Sequence, residues 1–163
     1  MYQRVLLAYD GTREGRGALR EGAIVARTFG ARVFLLCVVP ESASGRIPEG
    51  AAGVVQAQEA YQELFDEAMT WMKGVGFDLS GRIAVGEPAQ QISLHARQFN
   101  ADLVVVGHRK RSLLERWWSG TTGAYLVDHL GCSILVARRP ISDEDFFAAM
   151  GLETAPPAAI QSS

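Results

Sequence analysis

The sequence predicts an α/β protein built on a doubly wound parallel sheet, and three observations carry that prediction. Five short apolar runs punctuate the chain, the segments between them repeat apolar residues at intervals of three and four, and most of the runs are continuously hydrophobic rather than alternating. Strands covered on both faces read in this way. Strands that alternate with helices imply right-handed crossovers and a sheet with helices on both sides.

The runs are RVLLAYD (4–10), RVFLLCVV (32–39), GRIAVG (81–86), DLVVVG (102–107) and CSILVAR (132–138). Between the first two, Ala18, Leu19, Gly22, Ala23, Val25, Ala26 and Phe29 form one apolar stripe of a helix over about 13–29, with Gly30 placed to end it. A second helix, roughly 53–73, carries Tyr61, Leu64, Phe65, Ala68, Trp71 and Met72 on one side. Glu87 and Pro88 open a third that continues through Ile92, Leu94, His95, Ala96 and Phe99 to Asn100. A fourth starts near Gly120 and is expected to bury Ala124, Leu126, Val127 and Leu130 before Gly131. The stretch ESASGRIPEGAAG (41–53) reads as a connection. After residue 139, SDEDFFAAMG offers a short helix with Ser142 or Asp143 as N-cap, and LETAPPAAIQSS has the composition of a disordered tail. The division expected is therefore a domain over 1–139 and an extension over 140–163.

With 163 residues and a net charge of −2, the chain suits one soluble domain, and nothing in its balance seeks nucleic acid. No run approaches the ~20 apolar residues of a membrane span, and MYQRVLLAYD lacks the pattern of a signal peptide, so a cytoplasmic location is expected. Cys37 and Cys132 sit in apolar runs and read as small hydrophobes. No Cys or carboxylate stands at ligand spacing from His95, His108 or His129, so no metal centre is expected, and no serine lies in a nucleophile-elbow context.

Ligands of open α/β sheets bind beyond the carboxyl ends of the strands, where strand order reverses. That rule selects Asp10-Gly11-Thr12, Val38-Val39-Pro40 and the segment from Gly107 onward. Asp10 has two readings: an Asx turn that satisfies backbone N–H groups, or a carboxylate that accepts from a ribose hydroxyl or joins a phosphate-held metal. Ser119-Gly120-Thr121-Thr122 likewise reads as a helix cap or as a phosphate seat at a helix's positive end.

The residues resemble the universal stress proteins of the nucleotide-binding kind. These carry after strand four a glycine, two residues, a second glycine, nine residues, and then Gly with Ser or Thr. Here Gly107 is followed at that spacing by Lys110 and by Gly120-Thr121, so the spacing matches while the second glycine is a lysine. The likeness extends to VLLAYDGT, CVVPE, GEPAQQI, LLER and GCSILVARR, and spans about residues 3–139. It implies a three-layer, Rossmann-like fold with strand order 3-2-1-4-5 and an adenine nucleotide, ATP or AMP in type, with or without Mg2+. By similarity the adenine would rest among Ala8, Asp10, Val38 and Val106, with Gly11 and Thr12 completing the first loop. The ribose would lie near Asp10 and Gly107, and the phosphates against Arg109, Lys110, Gly120, Thr121 and Thr122. The resemblance further implies a homodimer paired through Cys132 to Arg138 and a regulatory or protective stress role, with slow ATP hydrolysis as the most chemistry expected.

Lys110 supports a competing expectation, a dimeric interaction module that does not bind nucleotide. A side chain where the backbone needs positive φ costs about 1–3 kcal/mol. Arg109, Lys110, Arg111 and Arg116 work in the opposite direction by attracting phosphate, or else form a solvated basic face. Of Trp117 and Trp118, adjacent in sequence, packing on a partner or on the 41–53 stretch is the preferred reading over stacking on a base. An adenylating enzyme of the wider fold would need an SGGxDS-type loop after the first strand, which AYDGTREG does not supply.

Overall fold

The computed structural model describes residues 1–11, 13–39, 51–107, 121–138 and 141–152, with the backbone alone described at 13–14, 51–58 and 121–124. The elements run β1 (Arg4–Tyr9), α1 (Arg13–Phe29), β2 (Arg32–Val39), α2 (Ala51–Gly74), β3 (Leu79–Val85), α3 (Pro88–Phe99), β4 (Leu103–Gly107), α4 (Thr121–His129), β5 (Ser133–Ala137) and α5 (Asp143–Met150). The strands form one parallel sheet in the order β3-β2-β1-β4-β5, as expected.

Alternation along each strand sorts the core into two layers. Val5, Leu7 and Tyr9 of β1 join Val33 and Leu35 of β2 and Leu103 and Val105 of β4 beneath α1, α2 and α5. Leu6, Leu36, Val38, Val104 and Val106 face the other way, onto Ala89, Ile92 and Ala96 of α3, Leu126 of α4 and Leu130 just after it. The period-two backbone thus turns one continuous apolar run into two half-cores. Close approach of α1 to the sheet depends on Gly22, where a Cβ would lie 2.3 Å from Leu7 Cδ2.

Several boundaries and faces differ from expectation. α2 begins at Ala51, inside the stretch read as a connection, because Ala-Ala is a strong helix former. β3 begins at Leu79, two residues early, since backbone pairing to Val33 holds polar residues at an edge that apolar runs cannot reveal. Val127, expected in the core, is 59% exposed. Leu126 and Leu130, one turn apart, take the inward face, and Val127 is rotated away from them. Phe29 is 42% exposed and packs edge-on against Tyr2, with ring centres 5.4 Å apart. The 152–163 tail lies outside the described residues beyond Leu152, and so does the 41–50 part of the expected connection.

Local caps fix where the helices start and stop. Glu87, at the N-cap of α3, accepts from the Gln90 N–H at 2.9 Å, with Pro88 in the first turn where its missing N–H costs nothing. Asn100 closes the same helix in the left-handed conformation. At the amino end of the sheet, Asp102 accepts from the N–H groups of Gln3 and Arg4 at 2.8 and 3.0 Å, tying the starts of β1 and β4 together.

Candidate functional site

β1 and β4 pair from Val5↔Leu103 to Leu7↔Val105. Beyond that point each strand follows its outer neighbour: β1 runs to Tyr9 opposite Cys37, and β4 runs to Gly107 opposite Ala137. The helix after β1 covers one face and the helix after β4 covers the other, so the two strand ends diverge at the centre of the sheet. This is the switch point at which open α/β sheets hold ligands.

Ala8, Val38 and Val106 all lie on the α3–α4 side. Val38 and Val106 are buried, and Ala8 is half-buried, so the structure brings together the three apolar residues expected to meet a flat base. Asp10 and Gly11 follow at the rim, both half-buried. Gly11 has φ +77°, and a Cβ there would sit 2.4 Å from Leu64 Cδ1 of α2. Conformation therefore favours glycine at this turn, and a Cβ would oblige the Leu64 side chain to move. Gly107 is buried at the end of β4, and Thr121 and Thr122 open α4. Thr12, Arg109, Lys110 and Gly120 lie outside the described residues, together with the rest of 108–120.

Sequence reasoning missed what lies behind Asp10. Tyr9, its neighbour on β1, points to the opposite side of the sheet and is almost completely buried. Burial pushes its phenol above the usual range, the Arg16 guanidinium draws it down, and the charges of Asp10 and Cys37 push it up again. Neither Tyr9 Oη nor Arg16 Nε has a partner at good hydrogen-bond geometry, so we ascribe the Arg16 effect mainly to charge. Cys37 on the adjoining strand has its thiol pushed up to about 12, first by burial and then by Asp10. A tyrosine one place before the acid was a signal in the sequence, since alternation places it on the far face from Ala8. Arg16 and Cys37 gave no such signal.

Two of the three histidines, His95 and His129, lie among the described residues. His95 is buried on α3 against the Phe34 ring, with centres 6.0 Å apart, and Gln98 bonds to it. His129 Nδ1 lies 2.9 Å from the Tyr125 carbonyl. Among the described residues there is no group of three His, Cys, Asp or Glu able to hold a metal, and no helix is long and apolar enough to cross a membrane.

The model of the universal stress protein family matches residues 1–138. The chain belongs to the universal stress protein family. Universal stress protein MJ0531 of Methanocaldococcus jannaschii is 26% identical over 147 residues, covering 86% of this chain and 84% of that protein. Universal stress protein Sll1388 of Synechocystis is 24% identical, covering 84% and 98%. Among solved structures, a universal stress protein in complex with cAMP superposes with TM-score 0.63 at 22% identity, over 85% of this chain and 99% of that one. The Arabidopsis thaliana family protein At3g01520, with AMP bound, does so with TM-score 0.59 at 18% identity, over 87% and 94%. At these identities the structural likeness speaks for the fold.

Proposed function

We propose that this universal stress protein binds an adenine nucleotide at the divergence of β1 and β4, and acts as a cytoplasmic, regulatory or protective homodimer paired through β5. The observation that carries the reading is the alignment of Ala8, Val38 and Val106 on one side of the switch point with Asp10 at its rim. The base would lie on the apolar trio, the ribose hydroxyls would donate to Asp10, and the phosphates would turn toward the start of α4. There the free N–H groups of a helix end favour negative charge, and the family resemblance would add Arg109 and Lys110 to the phosphate contacts. Mg2+ would arrive with the phosphates, and Asp10 is the rim carboxylate suited to join its oxygen ligands. Dimerisation would cover the β5 edge, whose Ile134, Leu135 and Val136 are half-buried in the single chain.

Lys110 in place of glycine favours a second reading, a family member that pairs and docks without nucleotide. The two separate in calorimetric titrations with ATP, ADP, AMP and cyclic AMP, with and without magnesium. Wild-type binding that falls at least tenfold in Asp10→Ala supports the first. Binding that appears in Lys110→Gly alone supports the second.

A further inference from the structure

We propose that Arg16, seated against Tyr9 on the α1 side of the switch point, binds the terminal phosphate of a nucleoside triphosphate. The inference rests on the nucleotide reading for its ligand, and adds to it a phosphate contact away from the start of α4. Tyr9 is the last residue of β1, and alternation turns its ring away from Ala8 to the side covered by α1 and α2. Arg16 lies four residues into α1, near that helix's positive pole. The Asp10-Gly11 turn, bent by the positive φ of Gly11, runs from one to the other. One short connection thus brings a phenol, a carboxylate and a guanidinium to the carboxyl end of β1.

Donors outnumber acceptors at this point. A guanidinium can only donate, and a phenol that accepts from it still has its own hydrogen to give. Tyr9 is 2% exposed, and its Oη and the buried Nε of Arg16 are both without a hydrogen-bond partner. Asp10 and Cys37 act on the phenol by charge, and neither accepts its hydrogen. Buried donors left in this way carry the full cost of leaving water. An anionic oxygen that takes a hydrogen from each satisfies both, and a guanidinium matches the geometry of phosphate. Arg16 as a whole is half-buried, so a ligand can reach it from solvent. The Asp10 carboxylate nearby disfavours a bare phosphate, so binding is expected with magnesium present to offset that charge. A base on Ala8, Val38 and Val106 lies on the other side of the sheet, so its phosphates must pass over the strand ends to meet Arg16. A single phosphate stops short of that crossing, and the consequence is selection by phosphate number.

The test is calorimetric titration of the full chain, in magnesium, with ATP, AMP and inorganic tripolyphosphate, on wild type, Arg16→Gln and Tyr9→Phe. Arg16→Gln is expected to weaken ATP and tripolyphosphate by about tenfold or more and to leave AMP within about twofold. Tyr9→Phe, which keeps the ring and removes the hydroxyl, should weaken ATP in the same direction and spare AMP. Unchanged ATP affinity in Arg16→Gln, or an equal loss for ATP and AMP, would overturn the proposal. Phosphorus NMR of ATP on the wild-type protein decides even where the variants do not fold: the γ-phosphate resonance should move most, and a shift confined to the α-phosphate would overturn the contact. ATP binding abolished by Asp10→Ala but intact in Arg16→Gln would sink this inference and keep the nucleotide reading. Tripolyphosphate binding lost in Arg16→Gln, with no binding of ATP or AMP to wild type, would keep the phosphate contact and sink the nucleotide reading. A wild type that takes none of the three would overturn both.

Discussion

Replacing Gly11 by alanine tests the turn that sets Asp10 at the crevice. The backbone there has φ +77°, a conformation that costs an L-residue roughly 1–2 kcal/mol. The new methyl would also meet Leu64 Cδ1 at 2.4 Å. Leu64 is the far end of a flexible side chain, so it must retreat by about 1 Å, and crowding of this kind costs about 1–3 kcal/mol. The expected loss for Gly11→Ala is therefore about 2–5 kcal/mol, measured by urea unfolding followed by far-UV circular dichroism. Leu64→Ala alone leaves a void and destabilises too, but in the double variant the void receives the methyl. The double variant should therefore be more stable than the sum of the single losses implies, by about 1 kcal/mol or more. Its φ component cannot be relieved, so it should remain below Leu64→Ala. A neutral Gly11→Ala, or strict additivity of the two changes, would refute this account of the turn.

Three further outcomes follow from side chains near the sheet. Burial, and then the Arg82 charge, hold His95 below the usual histidine range, while Gln98 opposes them. Its folded value is thus below its unfolded one, so the unfolded chain takes up protons first and stability falls as pH drops through about 6.5, levelling below the folded value. A series of urea midpoints from pH 7.5 to 5 should show that slope, and His95→Gln should flatten it. Cys37, buried and with its thiol at about 12, should resist a thiol reagent at pH 8 until the chain unfolds, whereas half-buried Cys132 should react first; rapid labelling of both in the folded protein would contradict the assignment. Glu87→Ala removes the carboxylate that accepts from Gln90 and should cost about 0.5–2 kcal/mol in urea unfolding.

Apolar runs were enough to read the order of elements, because a strand buried on both faces has no polar alternation to hide it. β3 was clipped at its start for the converse reason: Ser80 and Gly81 occupy an edge strand, and their place is set by pairing with Phe34 and Leu35. Ala8, Val38 and Val106 were expected from the family resemblance, and the fold sets them on one face of the sheet with Leu6 and Val104. The approach of Arg16 and Cys37 to Tyr9 was not legible, because the three come from different elements and local pattern carries no such information. The same holds for Phe146 and Trp71, far apart in the chain, whose stacking makes an inconspicuous tail segment part of the core.

The central claim is that a nucleotide sits where β1 and β4 part. Two-dimensional NMR of the uniformly labelled protein, titrated with ATP and magnesium, tests that location residue by residue. The amides of Ala8, Asp10, Gly11, Val106 and Gly107 are expected to shift with one common binding curve, while those of Leu79–Val85 and Asp143–Met150 stay in place. Saturable shifts confined to those outer elements, or none at millimolar nucleotide, would contradict it.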